Sequence, residues 1–255
     1  MIICSSIGQN GRLGNQLFQF STLFSIGFLR GFKIAIPENQ KISEAFQISN
    51  SSLMSGSIES FSLFKERQFA FDPDIFLTTD NTNLFGYFQS GNYFRHCQDA
   101  LRKELLFHSY IETKASNFIS KLEKRPTCSL HIRRGDYLSL SHVHKNLSFD
   151  YYQKACSLVK HNIPDAKFLV FSDDVQFCKQ FFTDSQNFEI VDINNDITEL
   201  CIMSKCQIHI IANSSFSWWG AWLSGSGAVI APKEWFAPAG PKDWSTIYEP
   251  AWIKI

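Results

Sequence analysis

Hydrophobic and polar positions along this 255-residue chain follow two periods, one typical of strands and the other of helices. "IICSSI" (2–7) is short, apolar and rich in β-branched residues, which predicts a strand, and a glycine-rich loop (8–14) follows it. Apolar residues then recur at helical spacing and predict a helix over 15–31 that ends at Gly31. A second strand over 32–37 completes an opening that is typical of an α/β domain.

The middle of the first half has a weaker pattern. Residues 38–80 are rich in serine, asparagine and phenylalanine and predict no clear element. Beyond them we expect a strand over 83–90 and helices over 94–107 and 112–125. Pro126 then fits a boundary between domains.

After Pro126 the pattern becomes regular. Strands are predicted at 127–134, 166–172, 188–192, 207–213 and 227–232, and helices at roughly 149–161, 174–183, 197–206 and 215–224. Strands that alternate with helices at this spacing indicate a doubly wound parallel sheet. We therefore expect two α/β domains, 1–126 and 127–255.

Composition excludes several classes of protein. The chain is 44% hydrophobic and 19% charged, so it is not disordered. Lysine plus arginine and aspartate plus glutamate both number 24, and a neutral chain argues against a nucleic-acid partner. The seven cysteines form no C-x-x-C pair, which predicts buried free thiols and no zinc site.

Targeting signals are absent from the pattern as well. The chain opens without a basic stretch followed by an apolar run, and no apolar run approaches the length of a membrane span. We expect a cytoplasmic protein, with peripheral contact at the inner face of the membrane as an open alternative.

The first candidate site is the glycine-rich loop. Its G-x-x-G-x-x-G spacing differs from the G-x-G-x-x-G of dinucleotide-binding loops. A glycine loop that enters a helix still presents backbone N–H groups to an anion, and Asn15 and Gln16 add side-chain donors. A tight turn with a capping asparagine explains the same residues, so both interpretations stay open.

The second candidate site is "HIRRGDYL" (131–138), at the end of a predicted strand. Arginine forks match phosphates and carboxylates with two-point geometry, so Arg133 and Arg134 predict an anion site. The alternative is a structural ion pair, with one arginine held by Asp136 and the other in solvent.

Two further sets of polar residues follow predicted strands, where open α/β sheets bind their ligands. Asp173 and Asp174 in "FSDD" predict either a ligand contact or the N-cap of the next helix. The serines of "ANSSFSWWGAWL" (212–223) open a helix in a manner that suits phosphate, whereas its three tryptophans favour core packing.

Five segments together resemble those of the bacterial α1,2-fucosyltransferases, glycosyltransferase family 11. They are "GRLGNQLFQF", "HIRRGDY", "FSDD", "NSSFSWWGAWL" and "VIAPKEWF". "HIRRGDY" alone is similar to the first motif shared by α1,2-, α1,6- and protein O-fucosyltransferases. The resemblance implies an α/β fold of GT-B type, in which two Rossmann-like domains face each other across a cleft and the second holds most of GDP-fucose.

The resemblance also implies a role for each matching residue. Arg133 would bind the β-phosphate and stabilise the departing GDP, while Arg134 and Asp136 would brace the site. Gly14 and Asn15 would contact the donor from the first domain. His131 and one of Asp173 and Asp174 would contact the guanine nucleoside. The phosphates would be contacted by Ser214, Ser215, Phe216 and Ser217.

The implied reaction is an inverting transfer of L-fucose from GDP-β-L-fucose to a galactose-terminated or lipid-linked glycan. It would form an α1,2 linkage in lipopolysaccharide or capsule synthesis. Charge grows on GDP during the transfer, and a fixed guanidinium can stabilise it. Because "SDD" is not the D-x-D pair of metal-dependent enzymes, we expect no metal and no other cofactor.

An inverting transfer also needs a base that takes the proton of the acceptor hydroxyl, and no residue of the sequence is clearly marked for that role. Asp136 is a catalytic candidate beside the site, although pairing with arginine would make it a poor base. Three other interpretations stay open. The first keeps the family but changes the sugar or the linkage. The second is a nucleotide-dependent oxidoreductase, which the glycine spacing disfavours, and the third is a non-catalytic glycan-binding module, which needs no paired arginines.

Overall fold

The computed structural model describes residues 1–49, 51–54, 58–184, 186–225 and 227–255. The chain forms two compact α/β units. The first consists of Met1–His108 with Asp243–Glu249, and the second of Ser109–Lys242 with Pro250–Ile255.

A parallel sheet forms the centre of the first unit. Its strands are β1 (Ile2–Ile3), β2 (Ile34–Ile36), β3 (Ser51–Leu53), β4 (Ser62–Lys65) and β5 (Thr82–Phe85). They lie in the order β3-β2-β1-β5-β4. The helices of this unit are α1 (Leu13–Arg30), α2 (Lys41–Ala45) and α3 (Gln98–Glu104), with 3₁₀ turns at Pro73–Leu77, Gly91–Tyr93, Arg95–Cys97 and Ser245–Ile247.

The opening of the chain follows the predicted strand–loop–helix–strand order. The helix α1 is buried on all faces from Gln16 to Gly27, because most of its side chains there are apolar or small. It ends at Gly31, whose φ of 69° lies in the left-handed region. The first strand is shorter than predicted, since the chain turns from residue 5 onward and Ser5 bonds Asn83 instead of continuing the ladder.

The first unit is completed by a late segment of the chain. Residues 243–249 return to it, and the Thr246 hydroxyl accepts the backbone N–H of Phe71 at 2.8 Å. The Ser90 hydroxyl in turn donates to the Thr246 carbonyl at 2.7 Å. Residues far apart in sequence therefore close this unit.

The second unit is a larger parallel sheet. Its strands are β6 (Thr127–Ile132), β7 (Lys167–Ser172), β8 (Phe188–Ile190), β9 (Ile208–Ile210), β10 (Ala228–Ala231) and β11 (Ile253–Lys254), in the order β11-β10-β9-β6-β7-β8. Its helices are α4 (Ser109–Ile119), α5 (Gly135–Ser139), α6 (Phe149–Asn162), α7 (Val175–Phe181), α8 (Asp196–Ser204) and α9 (Ser215–Ser224). The five predicted strands and four predicted helices of this half are all present.

Packing in the second unit follows from its composition. The central strands are buried on both faces, as a parallel sheet between helices requires. Trp218 and Trp219 are fully buried and Trp222 nearly so, which confirms core packing as their role. All seven cysteines are buried and unpaired, as expected from their spacing.

The compact units divide after His108, whereas the sequence suggested a boundary near 126. The reason lies in α4, which packs along α8 of the second unit and is linked to it by an ion pair between Glu112 and Lys205. Among the described residues, no helix combines the length and the apolar character needed to cross a bilayer.

Candidate active site

The sheet of the second unit reverses its strand order between β6 and β9, and ligands of doubly wound folds bind beyond the carboxyl ends of the strands at such a point. Arg133 and Arg134 come directly after β6. Asn213 and Ser214 follow β9, and Asp173 follows β7. The chain thus brings three of the four predicted polar sets to one edge of one sheet.

Arg133 is held by two carboxylates. Its Nη2 donates to both oxygens of Asp136, at 2.6 and 2.8 Å, and its Nη1 lies 3.1 Å from Oδ2 of Asp173. Its guanidinium carbon also lies 5.2 Å from the centre of the Tyr137 ring. The Nε of Arg133 is buried and has no hydrogen-bond partner in the part of the chain that the structure describes. The guanidinium is therefore fixed but keeps an unused donor.

Asp173 and Asp174, which follow β7, both interact with Arg134 and hold it in place. Asp173 accepts the backbone N–H of Arg134 at 2.9 Å, and a Cβ at Gly135 would come within 2.4 Å of its Oδ2. Asp174 caps α7 by accepting the N–H of Phe177 at 3.0 Å, and Arg134 Nε lies 3.3 Å from its other oxygen. The capping interpretation of "FSDD" thus holds for Asp174, while Asp173 supports the arginines.

Tyr137 joins the arginine segment to the start of α9. Its hydroxyl donates to the carbonyl of Asn213 at 3.0 Å, and burial raises the pKa of that hydroxyl to about 12. The Asn213 side chain donates to the carbonyls of Lys145 and Trp235, both at 2.8 Å. Asn213 therefore fixes three segments around the site.

The first turn of α9 carries the predicted phosphate-facing serines. Ser214 is the N-cap, and its hydroxyl accepts the N–H of Phe216 at 3.3 Å. Ser215 is the first helical residue. Ser217 is fully buried, and its hydroxyl donates to the carbonyls of Ala212 and Ser214 at 3.4 Å, so its side chain supports the turn from inside.

His131 lies beneath this turn. It is 4% exposed, and its ring centre lies 5.6 Å from that of Phe216. Burial, reinforced by the charge of Arg133, lowers the pKa of His131 to about 3, so the ring is neutral at physiological pH. Its Nδ1 is buried without a partner among the described residues.

An aromatic stack borders Arg133 on the side of Tyr137. The ring of His144 lies 4.1 Å from that of Tyr137 and within 9° of parallel, and Phe236 lies 5.8 Å from His144. An isolated bridge pairs the backbones of His144 and Phe236. The segment after α5 is thereby held against the site.

Gly14 and Asn15 lie in the first unit, in the first turn of α1. The Asn15 side-chain oxygen accepts from Gln89 at 2.9 Å. Gln89 lies in the loop after β5, which is the neighbour of β1 where that sheet reverses its order. The glycine loop thus lies at the carboxyl ends of the strands of the first sheet, at the point where that sheet reverses its strand order.

Tyr137, His144 and Asn213 were not selected from the sequence, although all three contact the arginine segment or hold it in place. A signal for Tyr137 exists, because it lies in the same selected segment as Arg133, "HIRRGDYL". Asn213 directly precedes the selected serines. No local pattern marks His144, whose position depends on the return of the chain to Phe236.

Comparison with solved structures defines the class of fold. POFUT1, solved in complex with GDP-fucose, matches 100% of this chain and 97% of its own at a TM-score of 0.61 and 12% identity. The fucosyltransferase NodZ from Bradyrhizobium matches 87% of this chain and 92% of its own at a TM-score of 0.56 and 12% identity. The fold is the GT-B fold of glycosyltransferases, with a parallel α/β sheet in each unit.

The family follows from the sequence profile of Glycosyl transferase family 11, which matches residues 3–255. The chain belongs to this family. It is 34% identical over 165 residues to an alpha-1,2-colitosyltransferase and 37% identical over 172 residues to the O-antigen biosynthesis glycosyltransferase WbnK, both of Escherichia coli. These matches cover 61% and 60% of the chain and 57% and 55% of the two relatives.

A more distant relative aligns over a longer span. The mouse galactoside alpha-(1,2)-fucosyltransferase 2 is 25% identical over 268 residues, which cover 96% of the chain and 75% of that protein.

Proposed function

We propose that the chain transfers L-fucose from GDP-β-L-fucose to a galactose-terminated glycan and forms an α1,2 linkage with inversion at the anomeric carbon. The observation that carries this proposal is the guanidinium of Arg133, which follows β6 at the switch point of the second sheet, while Tyr137 of the same segment bonds Asn213 just before α9. The names of the aligned relatives support the α1,2 linkage, and the GDP-fucose complex of POFUT1 supports the donor.

The proposed chemistry follows from the charges at this edge. As the bond from the sugar to the β-phosphate breaks, negative charge develops on GDP, and donors that are already oriented toward that charge lower the barrier. Arg133 is oriented by Asp136, Asp173 and Tyr137 before any ligand binds. The backbone N–H groups at the start of α9 add a favourable partial charge.

An incoming diphosphate must compete with carboxylates. Two arginines here face three aspartates, and Asp136 already occupies Nη2 of Arg133 with both oxygens. We propose that the phosphate binds the guanidinium N–H groups that the carboxylates leave open, while Asp136 and Asp173 keep the guanidinium in position. His131, Ser214, Ser215 and Phe216 then surround the nucleotide.

We propose that neither a divalent metal nor another cofactor takes part, because the guanidinium supplies the positive charge that a metal gives elsewhere. GDP binding and sugar transfer are then expected to survive EDTA unchanged, measured by calorimetry and by product formation. Loss of activity in EDTA with recovery on adding Mn²⁺ would contradict this part of the proposal.

A second donor is favoured by one relative. Because an alpha-1,2-colitosyltransferase is 34% identical over 165 residues, nucleotide-activated colitose is the alternative sugar at the same site. We further propose that the acceptor belongs to lipopolysaccharide or capsule, since WbnK is named for O-antigen synthesis, and that the enzyme works in the cytoplasm with peripheral contact to the inner membrane face.

The test is a donor and acceptor panel. Purified protein is incubated with GDP-fucose, nucleotide-activated colitose and UDP-sugars, each with galactose-terminated and galactose-free oligosaccharides, and products are analysed by mass spectrometry and linkage analysis. We expect a fucosylated product linked to O2 of galactose. A product from another donor alone, or a linkage to another hydroxyl, would replace the proposed donor or linkage.

A further inference from the structure

The proposed transfer needs a group that takes the proton of the acceptor hydroxyl, and the carboxylates near Arg133 are already engaged. Both oxygens of Asp136 accept from Arg133. Asp173 holds Arg133 and the backbone of Arg134, and Asp174 caps α7 while lying close to Arg134. Carboxylates committed to arginines in this way are poor bases, because protonation would break the ion pairs.

His144 differs from these carboxylates because its ring nitrogens are not engaged by an arginine. Within the described residues neither nitrogen has a hydrogen-bond partner in the protein, and the half-buried ring is fixed by stacking on Tyr137. Tyr137 also lies against the guanidinium of Arg133, and the charges of Arg133 and Asp136 both act on the imidazole, which places His144 near the proposed phosphate site. A fixed ring with a free lone pair at this position has the geometry of a proton acceptor.

We propose that His144 is the general base of the transfer, an inference that rests on the proposed function. The acceptor hydroxyl gives its proton to a ring nitrogen of His144 as its oxygen forms the new bond to the anomeric carbon. The bond from that carbon to the β-phosphate oxygen breaks, and its electron pair leaves with GDP, where Arg133 stabilises the charge. The imidazolium then releases the proton to water, which reaches the half-exposed ring.

The surroundings keep this imidazole neutral. Burial lowers the pKa of His144 from its ordinary value; Asp136 opposes this shift, while Arg133 and His142 add to it. On the neighbouring segments, Lys145 and Glu234 pair with each other 2.8 Å apart. The imidazole of His144 is therefore unprotonated at neutral pH. Activity should fall as the pH drops below the pKa of His144, because the protonated ring cannot accept the proton of the acceptor.

The decisive variant is His144→Phe, which retains an aromatic ring to stack on Tyr137 but has no lone pair. We expect kcat to fall by about 10²- to 10⁴-fold, the usual contribution of a general base, while the affinity for GDP stays within about twofold. The acidic limb of the pH profile of kcat/KM should disappear. His142→Phe is the matched control: it alters an exposed histidine of the same segment and should keep the rate and the acidic limb, which moves slightly upward in pH because His142 no longer lowers the pKa of His144.

Two further measurements keep the test decisive if His144→Phe does not fold. His144→Ala should be inactive and should recover activity with added imidazole, and Asp136→Asn should retain the acidic limb. A folded His144→Phe enzyme with near-normal kcat, or a folded His144→Ala enzyme that imidazole does not rescue, would overturn the assignment. If the wild-type enzyme transfers no sugar from any donor, the proposed function fails instead, so the two failures are distinguishable.

Discussion

Arg133 shows how much of a side chain's role depends on its neighbours. Its charge is visible in the sequence, but its orientation comes from Asp136 three residues on and from Asp173 on another strand end. A guanidinium held on two sides loses little entropy when it binds phosphate, so its binding energy is available for the transition state.

Replacing Arg133 tests this role directly. Arg133→Ala should lower kcat by about two to three powers of ten, the effect of removing one oxyanion donor. Arg133→Lys should recover little of that loss, because an ammonium group cannot reproduce the two-point fork. Steady-state kinetics and GDP calorimetry on folded variants provide the measurement, and a folded Arg133→Ala enzyme with near-normal kcat would remove the arginine from the chemistry.

The sequence identified the arginines and serines of this edge because unusual residue types mark them. It could not distinguish Asp173 from Asp174, since both follow the same strand and only the fold shows which one turns toward Arg133. It also could not show that Ser217 faces inward, because that depends on where α9 packs.

At the scale of elements, regular packing made the second half predictable. Its strands are apolar runs because helices cover both faces of the sheet. The segment 38–80 showed no hydrophobic pattern because its strands are not covered on both faces. β3 and β4 are the edge strands of the first sheet, and their side chains are mostly exposed. Part of that segment, residues 50 and 55–57, lies outside the described residues.

The contact between α8 and α9 offers a test of packing. A Cβ at Gly220 would lie 2.2 Å from Sδ and 2.6 Å from Cγ of Met203, so a side chain there forces the methionine to move. Gly220→Ala should lower the free energy of unfolding by about 1–3 kcal/mol.

The matched control for that test is a double-mutant cycle. In a Met203→Ala background the Sδ and Cγ atoms are absent and only the Cβ at 3.2 Å stays close, so Gly220→Ala should cost much less than in the natural chain. Urea unfolding of the four proteins measures the coupling, and equal costs in both backgrounds would show that α8 and α9 do not meet at this point.

For the whole molecule, two buried neutral histidines contribute to the response to acid, while burial of Glu66 and Glu199, which raises the pKa of each carboxyl to about 7, acts in the opposite direction between pH 7 and 4.5. Burial lowers the pKa of His131 to about 3 and that of His209 to about 4, whereas both rings bind protons near 6.5 once the chain unfolds. At these two histidines the unfolded state therefore holds more protons below 6.5, and their contribution to stability falls as the pH decreases, down to about 4 for His209 and about 3 for His131.

Each of these histidines should contribute up to about 1.4 kcal/mol per pH unit within its window. Denaturant unfolding at several pH values between 7.5 and 5 measures the slope, with the range chosen around the histidine pKa. His209→Gln should make the slope of stability against pH less positive, while His161→Gln, which alters an exposed histidine on α6, should leave it unchanged. A slope that is the same in the natural chain and in His209→Gln would contradict a neutral buried His209.

The return of residues 243–249 to the first unit has a consequence for protein synthesis. The hydrogen bonds of Phe71 and Ser90 to Thr246 join positions separated by 175 and 156 residues. During translation the ribosome has made nearly the whole second unit before Thr246 emerges. The unit that is translated first can therefore acquire its complete set of hydrogen bonds only after most of the second unit has left the ribosome.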